Sequence, residues 1–241
     1  MNLDKFKPLT SQLEEIVSEI PGWTPIDQLV ALFNFVVSSG LHSSGDILEL
    51  GSWCGRSSVV LGIASRSIGT SNVHCVDLFP EKADWYENED GTHSFKVIIG
   101  GRERVGCNEQ TVWKEPFMKD VMPVYNRWPG TLEAFNYHIQ EAGLENIVMP
   151  FRGEMRDFFK HFNQKVKIRL AFLDGDHSYK AVCDDIRYAE ELLVPGGWLC
   201  FDDAFSVYDG VNKAIEEKII SSGNYDYYQQ ITRKLFVARH K

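Results

Sequence analysis

The chain has 241 residues, 44% of them hydrophobic, enough for one large α/β domain or two small ones with a sizeable core. A formal net charge of -9 and a pI near 5.3 exclude a protein whose main task is gripping nucleic-acid phosphates or an anionic membrane surface. Five cysteines (Cys54, Cys75, Cys107, Cys183 and Cys200) are scattered without a CxxC pair, the pattern of reduced, mostly buried thiols rather than a disulfide or zinc framework.

The amino end, MNLDKFKPLTSQLEEIV, carries acids early and has no unbroken apolar core, so it does not read as a signal peptide. No run reaches the roughly 18 apolar residues of a membrane span, and a cytoplasmic location is expected. Leu9 to Ile20 reads as a short helix stopped by Pro21-Gly22. Thr24 then suits an N-cap, Pro25 the first helical position and Asp27 the capping-box spacing. Ile26, Leu29/Val30, Phe33 and Val36/Val37 continue that helix at its period.

From Gly45 the pattern changes. DILELGSWCGRSSVVLGIAS is a short strand, a glycine-containing turn and a helix beginning near Ser57; NVHCVDLFP is a second strand, ending in Asp77. Glu81 to Gly130 then breaks the rhythm, with no clear periodicity but with Trp85, Trp113 and Trp128, so an ordered insertion is expected rather than a flexible linker. TLEAFNYHIQEAGL is helical, with Leu132, Phe135 and Ile139 on one face and Gly143 at its C-cap. NIVMPFRGE and KIRLAFLDGD are the third and fourth strands. An amphipathic helix bearing Val182, Ile186, Ala189 and Leu193 closes at Pro195-Gly196-Gly197, and WLCFDDA is the fifth strand. A helix from Val211 to Ser221 precedes two strands, Tyr225 to Ile231 and Leu235 to Ala238, joined by Thr232-Arg233-Lys234 as an antiparallel hairpin.

Alternating strands and helices predict right-handed βαβ units and a parallel sheet covered on both faces. The expected organisation is a single α/β domain over residues 1–241, with an N-terminal helical segment (1–44) and an inserted cap (81–130).

In such a sheet ligands bind outside the carboxyl ends of the strands, and four predicted ends here carry polar groups: Glu49-Leu50-Gly51, Asp77, Asp174-Gly175-Asp176-His177 and Asp202-Asp203. Gly51 and Gly55 permit a tight turn or a close approach of backbone to ligand. Asp77 is placed to accept ribose hydroxyls, and the missing GxGxxG, with Trp53 at its second glycine, suits a nucleoside without a pyrophosphate. Asp174, Asp202 and Asp203 converge if their strands are neighbours, and three such charges need protonation, pairing or a cation such as Mg²⁺; the alternative is that they cap helices or stay solvated. His177 has the chemistry of a general base near neutrality, or of a helix cap. Trp113 and Trp128 are candidates for an acceptor pocket or for the insertion's private core.

In this order, ILELGSWCGRSS, VHCVDLF, FRGE, FLDGDHSY and LLVPGGWLCFDDA resemble the class I S-adenosylmethionine-dependent methyltransferases, and within them the metal-dependent sugar O-methyltransferases of macrolide and aminocoumarin biosynthesis. The resemblance implies a Rossmann-like fold with a mostly parallel seven-stranded sheet and a C-terminal antiparallel hairpin. It implies Glu49, Gly51, Ser52, Trp53, Arg56 and Ser57 around the methionine part of S-adenosylmethionine, with Asp174 alongside. Asp77 would hold the ribose, Leu78 the adenine, and Gly153 and Glu154 its edge. Asp174, Asp202 and Asp203 would hold Mg²⁺, with His177 as base; Asp176 is a candidate alternative base or ligand-orienting residue. The function implied is methylation of a hydroxyl on a small-molecule acceptor, with no nucleic-acid or membrane partner and a homo-oligomer allowed. The competing readings are a non-catalytic nucleoside-binding protein and an NAD-dependent oxidoreductase.

Overall fold

A computed structural model describes residues 7–69, 71–107, 111–162 and 165–241. The first six residues of the amino-terminal stretch, and Asn108 to Gln110 of the insertion, lie outside it. Helix α1 (Leu9–Val17) and helix α2 (Ile26–Gly40) lead into strand β1 (Asp46–Leu50), helix α3 (Arg56–Ile68) and strand β2 (Val73–Asp77). Thr24 is not the N-cap of α2. That position falls to Pro25, without a side-chain cap, because Thr24 is buried and its carbonyl accepts a hydrogen bond from Arg56 (3.2 Å).

The insertion folds as a second, three-stranded antiparallel sheet of β3 (Trp85–Glu87), β4 (His93–Ile99) and β5 (Arg102–Gly106). A helical run follows: α4 (Lys114–Pro116), a π turn (Phe117–Val121) and α5 (Met122–Arg127). Glu81 and Gly130 pair across an isolated antiparallel bridge, so the insertion leaves and rejoins the domain at one point. Pro80 seals that point, its carbonyl accepting from Tyr125 Oη (3.0 Å) and Thr131 Oγ1 (3.2 Å).

Helix α6 (Thr131–Glu141), β6 (Val148–Arg152), α7 (Met155–Phe162), β7 (Ile168–Leu173), α8 (Tyr179–Leu192) and β8 (Leu193–Phe201) continue the α/β alternation. Helix α9 (Asp209–Ala214) runs on into a π turn (Ile215–Ile220), and β9 (Tyr225–Gln230) and β10 (Phe236–His240) form the expected hairpin. Helix α8 ends at Leu192 rather than at the glycines. Pro195-Gly196-Gly197 instead lie within β8, where the register against β7 slips, the outcome expected where glycines allow a strand to bulge.

The large sheet runs β6-β2-β1-β7-β8-β10-β9; all neighbours from β6 to β8 are parallel, and β10 is antiparallel to both its neighbours. One face packs against α1, α2, α3 and α6 through residues such as Leu29, Val60 and Phe135. The other packs against α7, α8 and α9 through Phe158, Ile186 and Val211. Each fully buried Leu, Ile or Phe contributes about 1.5–3 kcal/mol, and covering both faces is why β7 (IRLAFL) is buried at every position. Strand order reverses at β1, with β2 on one side and β7 on the other, which places a crevice above their carboxyl ends. No helix among the described residues is long and apolar enough to cross a membrane.

Candidate active site

That crevice is a cavity of about 1010 Å³. Its floor is built by the turns leaving β1, β2, β7 and β8, and its walls include Trp23 from the N-terminal segment and Trp85, Phe95 and Trp113 from the insertion. Of the residues expected to bind the cofactor, Gly51, Ser52, Trp53, Arg56, Ser57, Asp77, Leu78, Gly153, Glu154 and Asp174 all line it. Asp176, His177, Asp202 and Asp203 line it too.

Glu49 does not. Its position on β1 points it beneath the floor, fully buried, where Ser58 Oγ donates to its carboxylate and Ser57 and Ser52 lie close by. Burial raises its pKa above the usual glutamate range, against the lowering effect of the nearby serine hydroxyls.

The turn after β1 is shaped by contacts that require its sequence. Gly51 has φ +88°, and a Cβ there would stand 1.8 Å from the Asp174 carbonyl oxygen, so the ends of β1 and β7 touch only because this residue is glycine. Trp53 follows with φ 41°, and its backbone N–H donates to Asp77 Oδ2 (2.9 Å) while the Phe79 N–H donates to Asp77 Oδ1 (2.6 Å). The backbone of Ser52 and Leu78 also faces this carboxylate, and burial raises its pKa against those hydrogen bonds. The Ser52 hydroxyl is buried beneath the same turn, near Glu49 and Cys75.

Arg56, on the cavity wall, has a second task. Its guanidinium donates to the carbonyls of Val17 (2.5 Å), Ile20 (3.1 Å) and Thr24 (3.2 Å), fastening the end of α1 and the entry to α2 onto the N-terminus of α3. Glu154 is likewise paired: Arg104 of β5 meets it at 2.8 Å and Asp157 at 3.2 Å, tying the insertion to the end of β6. Over the cavity, Trp23 stacks on Trp53 with centroids 4.6 Å apart and planes 9° from parallel, and its indole N–H donates to Asp120 of the insertion (3.2 Å). Trp113 is 68% exposed at the rim. Trp128 packs instead with Tyr137 and His138 outside the cavity.

The acids at the ends of β7 and β8 do converge, because those strands are hydrogen-bonded neighbours. Asp174 faces Asp202, and burial first, then the Asp202 charge, push its pKa well above the carboxylate range. Asp202 Oδ1 accepts from Gln28 Nε2 of α2 (2.7 Å), and its Oδ2 lies 3.3 Å from Lys234 Nζ. Lys234 also reaches Asp203 Oδ1 at 2.9 Å. Asp203 Oδ2 faces His177 Nε2 at 3.8 Å, and Asp174 Oδ1 faces it at 3.9 Å. Asp203 is itself strained, with φ 52°, as residues at functional sites often are.

His177 is buried, lies against the Tyr208 ring at 4.5 Å, and has no hydrogen-bond partner within the described residues for either ring nitrogen. Burial lowers its pKa, against the pull of Asp203 and Asp202, so the ring is held as a neutral base. It does not cap α8. Ser178 does, accepting from Ala181 N (3.4 Å), and Asp176 accepts from Ser178 N (2.8 Å) in the preceding turn.

Among the described residues no group of three or more His, Cys, Asp or Glu side chains is arranged to hold a metal ion. The oxygens of Asp202 are taken by Gln28 and Lys234, and one of Asp203 by Lys234. The Mg²⁺ expected at Asp174, Asp202 and Asp203 therefore does not fit the donor set as it stands, since that ion demands a near-octahedral oxygen shell. Gln28 and Lys234 escaped the sequence reading. The first had one signal, a polar residue beside Leu29 on an apolar helix; the second had none, sitting in an ordinary polar turn.

Residues 48–204, more than half of the chain, match the model of a family described as a methyltransferase domain. The chain belongs to that family. Solved structures with the same fold include the O-methyltransferase NovP (TM-score 0.60, 16% identity, covering 90% of this chain and 80% of that one). An O-methyltransferase from Bacillus cereus in complex with S-adenosylhomocysteine gives 0.58 at 16% identity, over 99% and 94%. The O-methyltransferase TomG from Streptomyces achromogenes in complex with S-adenosylmethionine gives 0.55 at 13%, over 98% and 91%. No curated protein matches at the level of sequence. The fold is the Rossmann-like fold of class I methyltransferases.

Proposed function

We propose that this protein methylates a hydroxyl group of a small molecule with S-adenosylmethionine, using His177 as general base. The observation that carries the reading is His177 itself: a buried imidazole on the cavity floor, with no hydrogen-bond partner among the described residues at either nitrogen and a pKa that burial lowers. The cofactor part rests on the family match and on a donor set suited to a nucleoside. Asp77 lines the cavity at the end of β2, Gly51 brings bare backbone to it, and Ser52 lines it beside them. Bound there, S-adenosylmethionine supplies a methyl group activated by a cationic sulfonium.

A neutral alcohol is a poor nucleophile, so its proton must leave as the oxygen attacks. His177 accepts that proton at a ring nitrogen, and Asp203 Oδ2, facing Nε2, stabilises the imidazolium formed. Direct displacement at the methyl carbon needs no covalent enzyme intermediate, so the rest of catalysis is positioning and exclusion of water. The roof of Trp23, Trp53 and Trp113 suits the flat apolar faces of a sugar or an aromatic natural product. NovP and TomG being O-methyltransferases agrees with this reading.

The test is calorimetry followed by an acceptor screen. S-adenosylmethionine and S-adenosylhomocysteine should bind while NAD does not, and hydroxylated sugars and phenols screened for release of S-adenosylhomocysteine should yield turnover that His177→Gln removes. Binding of NAD in preference, or turnover indifferent to His177, would overturn the proposal.

A further inference from the structure

We propose that Lys234 is the resident cation of the acid cluster, supplying the positive charge that in a metal-dependent enzyme a divalent ion would bring to Asp202 and Asp203. The lysine is delivered by a braced turn, not by a loose surface chain. Thr232 Oγ1 accepts from the backbone N–H of Lys234 (3.3 Å) and Leu235 (3.0 Å), and Gln230 Nε2 donates to the carbonyls of Thr232 (2.9 Å) and Arg233 (3.2 Å). The same amide reaches the Ala204 carbonyl (3.3 Å), and Ala204 N donates to the Lys234 carbonyl (3.0 Å). The backbone of Lys234 is thus pinned to the residue after Asp203, and its side chain, 18% exposed, turns inward onto both acids.

The arrangement leaves little for a metal. Gln28 and Lys234 occupy both oxygens of Asp202. Lys234 occupies one oxygen of Asp203, and the other faces His177. An ammonium differs from Mg²⁺ in kind: it neutralises and orients carboxylates but does not take an alcohol oxygen into its coordination shell. In the reaction proposed above, on which this step rests, Lys234 is a positioning residue: it fixes Asp203 so that the free oxygen addresses His177, and removal of the proton falls to His177 without help from a Lewis acid.

The test needs neither acceptor nor turnover, so it stands apart from the fate of the methyl-transfer reading. The full-length protein is titrated with Mn²⁺, and the free-ion electron paramagnetic resonance signal is followed. The wild type should leave that signal undiminished. Lys234→Met, checked for folding by circular dichroism and for S-adenosylhomocysteine binding by calorimetry, should remove it equivalent for equivalent. Lys234→Met combined with Asp203→Asn should restore it. A stoichiometric Mn²⁺ site in the wild type that Asp203→Asn abolishes overturns the proposal, as does a folded Lys234→Met protein that takes up no Mn²⁺. If Lys234→Met does not fold, the wild-type titration decides alone. Once an acceptor is found, two further readouts follow: wild-type turnover should be unchanged by EDTA, and Lys234→Arg should keep the wild-type pH profile while Lys234→Met shifts it.

Discussion

The carbonyl oxygen of Asp174 occupies the space into which any side chain on Gly51 would project, 1.8 Å from where a Cβ would stand. The end of β1 therefore packs directly on the turn leaving β7, next to the hydrogen bond from Asp174 N–H to the Leu50 carbonyl (2.9 Å), and this packing joins the two halves of the cavity floor. Gly51→Ala should break it. The positive φ alone costs roughly 1–3 kcal/mol, and the clash must also part the strands. A lowered melting temperature together with lost S-adenosylhomocysteine binding is expected; a variant that melts and binds like the wild type would refute this account of the floor.

Arg56 holds the N-terminal segment by three hydrogen bonds to carbonyls. Hydrogen bonds to a charged group contribute about 1.5–3 kcal/mol, so Arg56→Ala should destabilise by about that amount. The loss should be local first: amide exchange should accelerate from Leu9 to Thr24 before it does in the central sheet. Uniform acceleration over the whole chain would contradict the assignment.

Glu49 gives a prediction in pH. Its folded pKa is raised by burial, so the native state keeps this proton to higher pH than the unfolded chain does. The resulting stabilisation is complete below the ordinary glutamate pKa of 4.5 and drains away as pH climbs through the folded value. Glu49→Gln lacks that dependence. The melting temperature of the wild type should fall relative to Glu49→Gln as pH rises above 4.5, and parallel curves would show that Glu49 does not titrate as described.

For His177 the expected signature is kinetic. His177→Gln should leave S-adenosylhomocysteine binding intact and lower kcat by about 10²–10⁴. Because burial holds the wild-type pKa below 6.5, kcat/KM should be flat at and above neutrality and fall only in acid. An acid limb centred above pH 7 would point to a different base.

The parallel core was legible because its strands are short, mostly apolar runs ending abruptly in acids or glycine: ILEL, interrupted only by Glu49, before Gly51, HCV before Asp77, LAFL before Asp174. Such runs are buried on both faces, and their ends lie where the chain must surface. The insertion was not legible as a sheet. In β4, HSFKVII, polar His93 and Ser94 are buried while Ile98 is 76% exposed, so the usual alternation is scrambled. The site divides in the same way. Asp77, Asp174 and His177 stand at the end of a strand or within four residues of it, whereas Gln28 meets Asp202 from 174 positions away, a contact that only the packing of α2 over the sheet creates. Arg56 shows a third case: its position on the cavity wall was visible, but the carbonyls that absorb its donors belong to turns whose path no local pattern records.

The bridge between Glu81 and Gly130 has a consequence for how this chain can change over generations. Because the two ends of the insertion stand side by side, whatever lies between them can lengthen, shorten or be exchanged without altering the spacing of β2 and α6 on which the donor end of the cavity depends. The wall bearing Trp85 and Trp113 is in that sense a replaceable fitting on a fixed mount, and that side of the cavity can be reshaped while the strand ends facing it stay as they are.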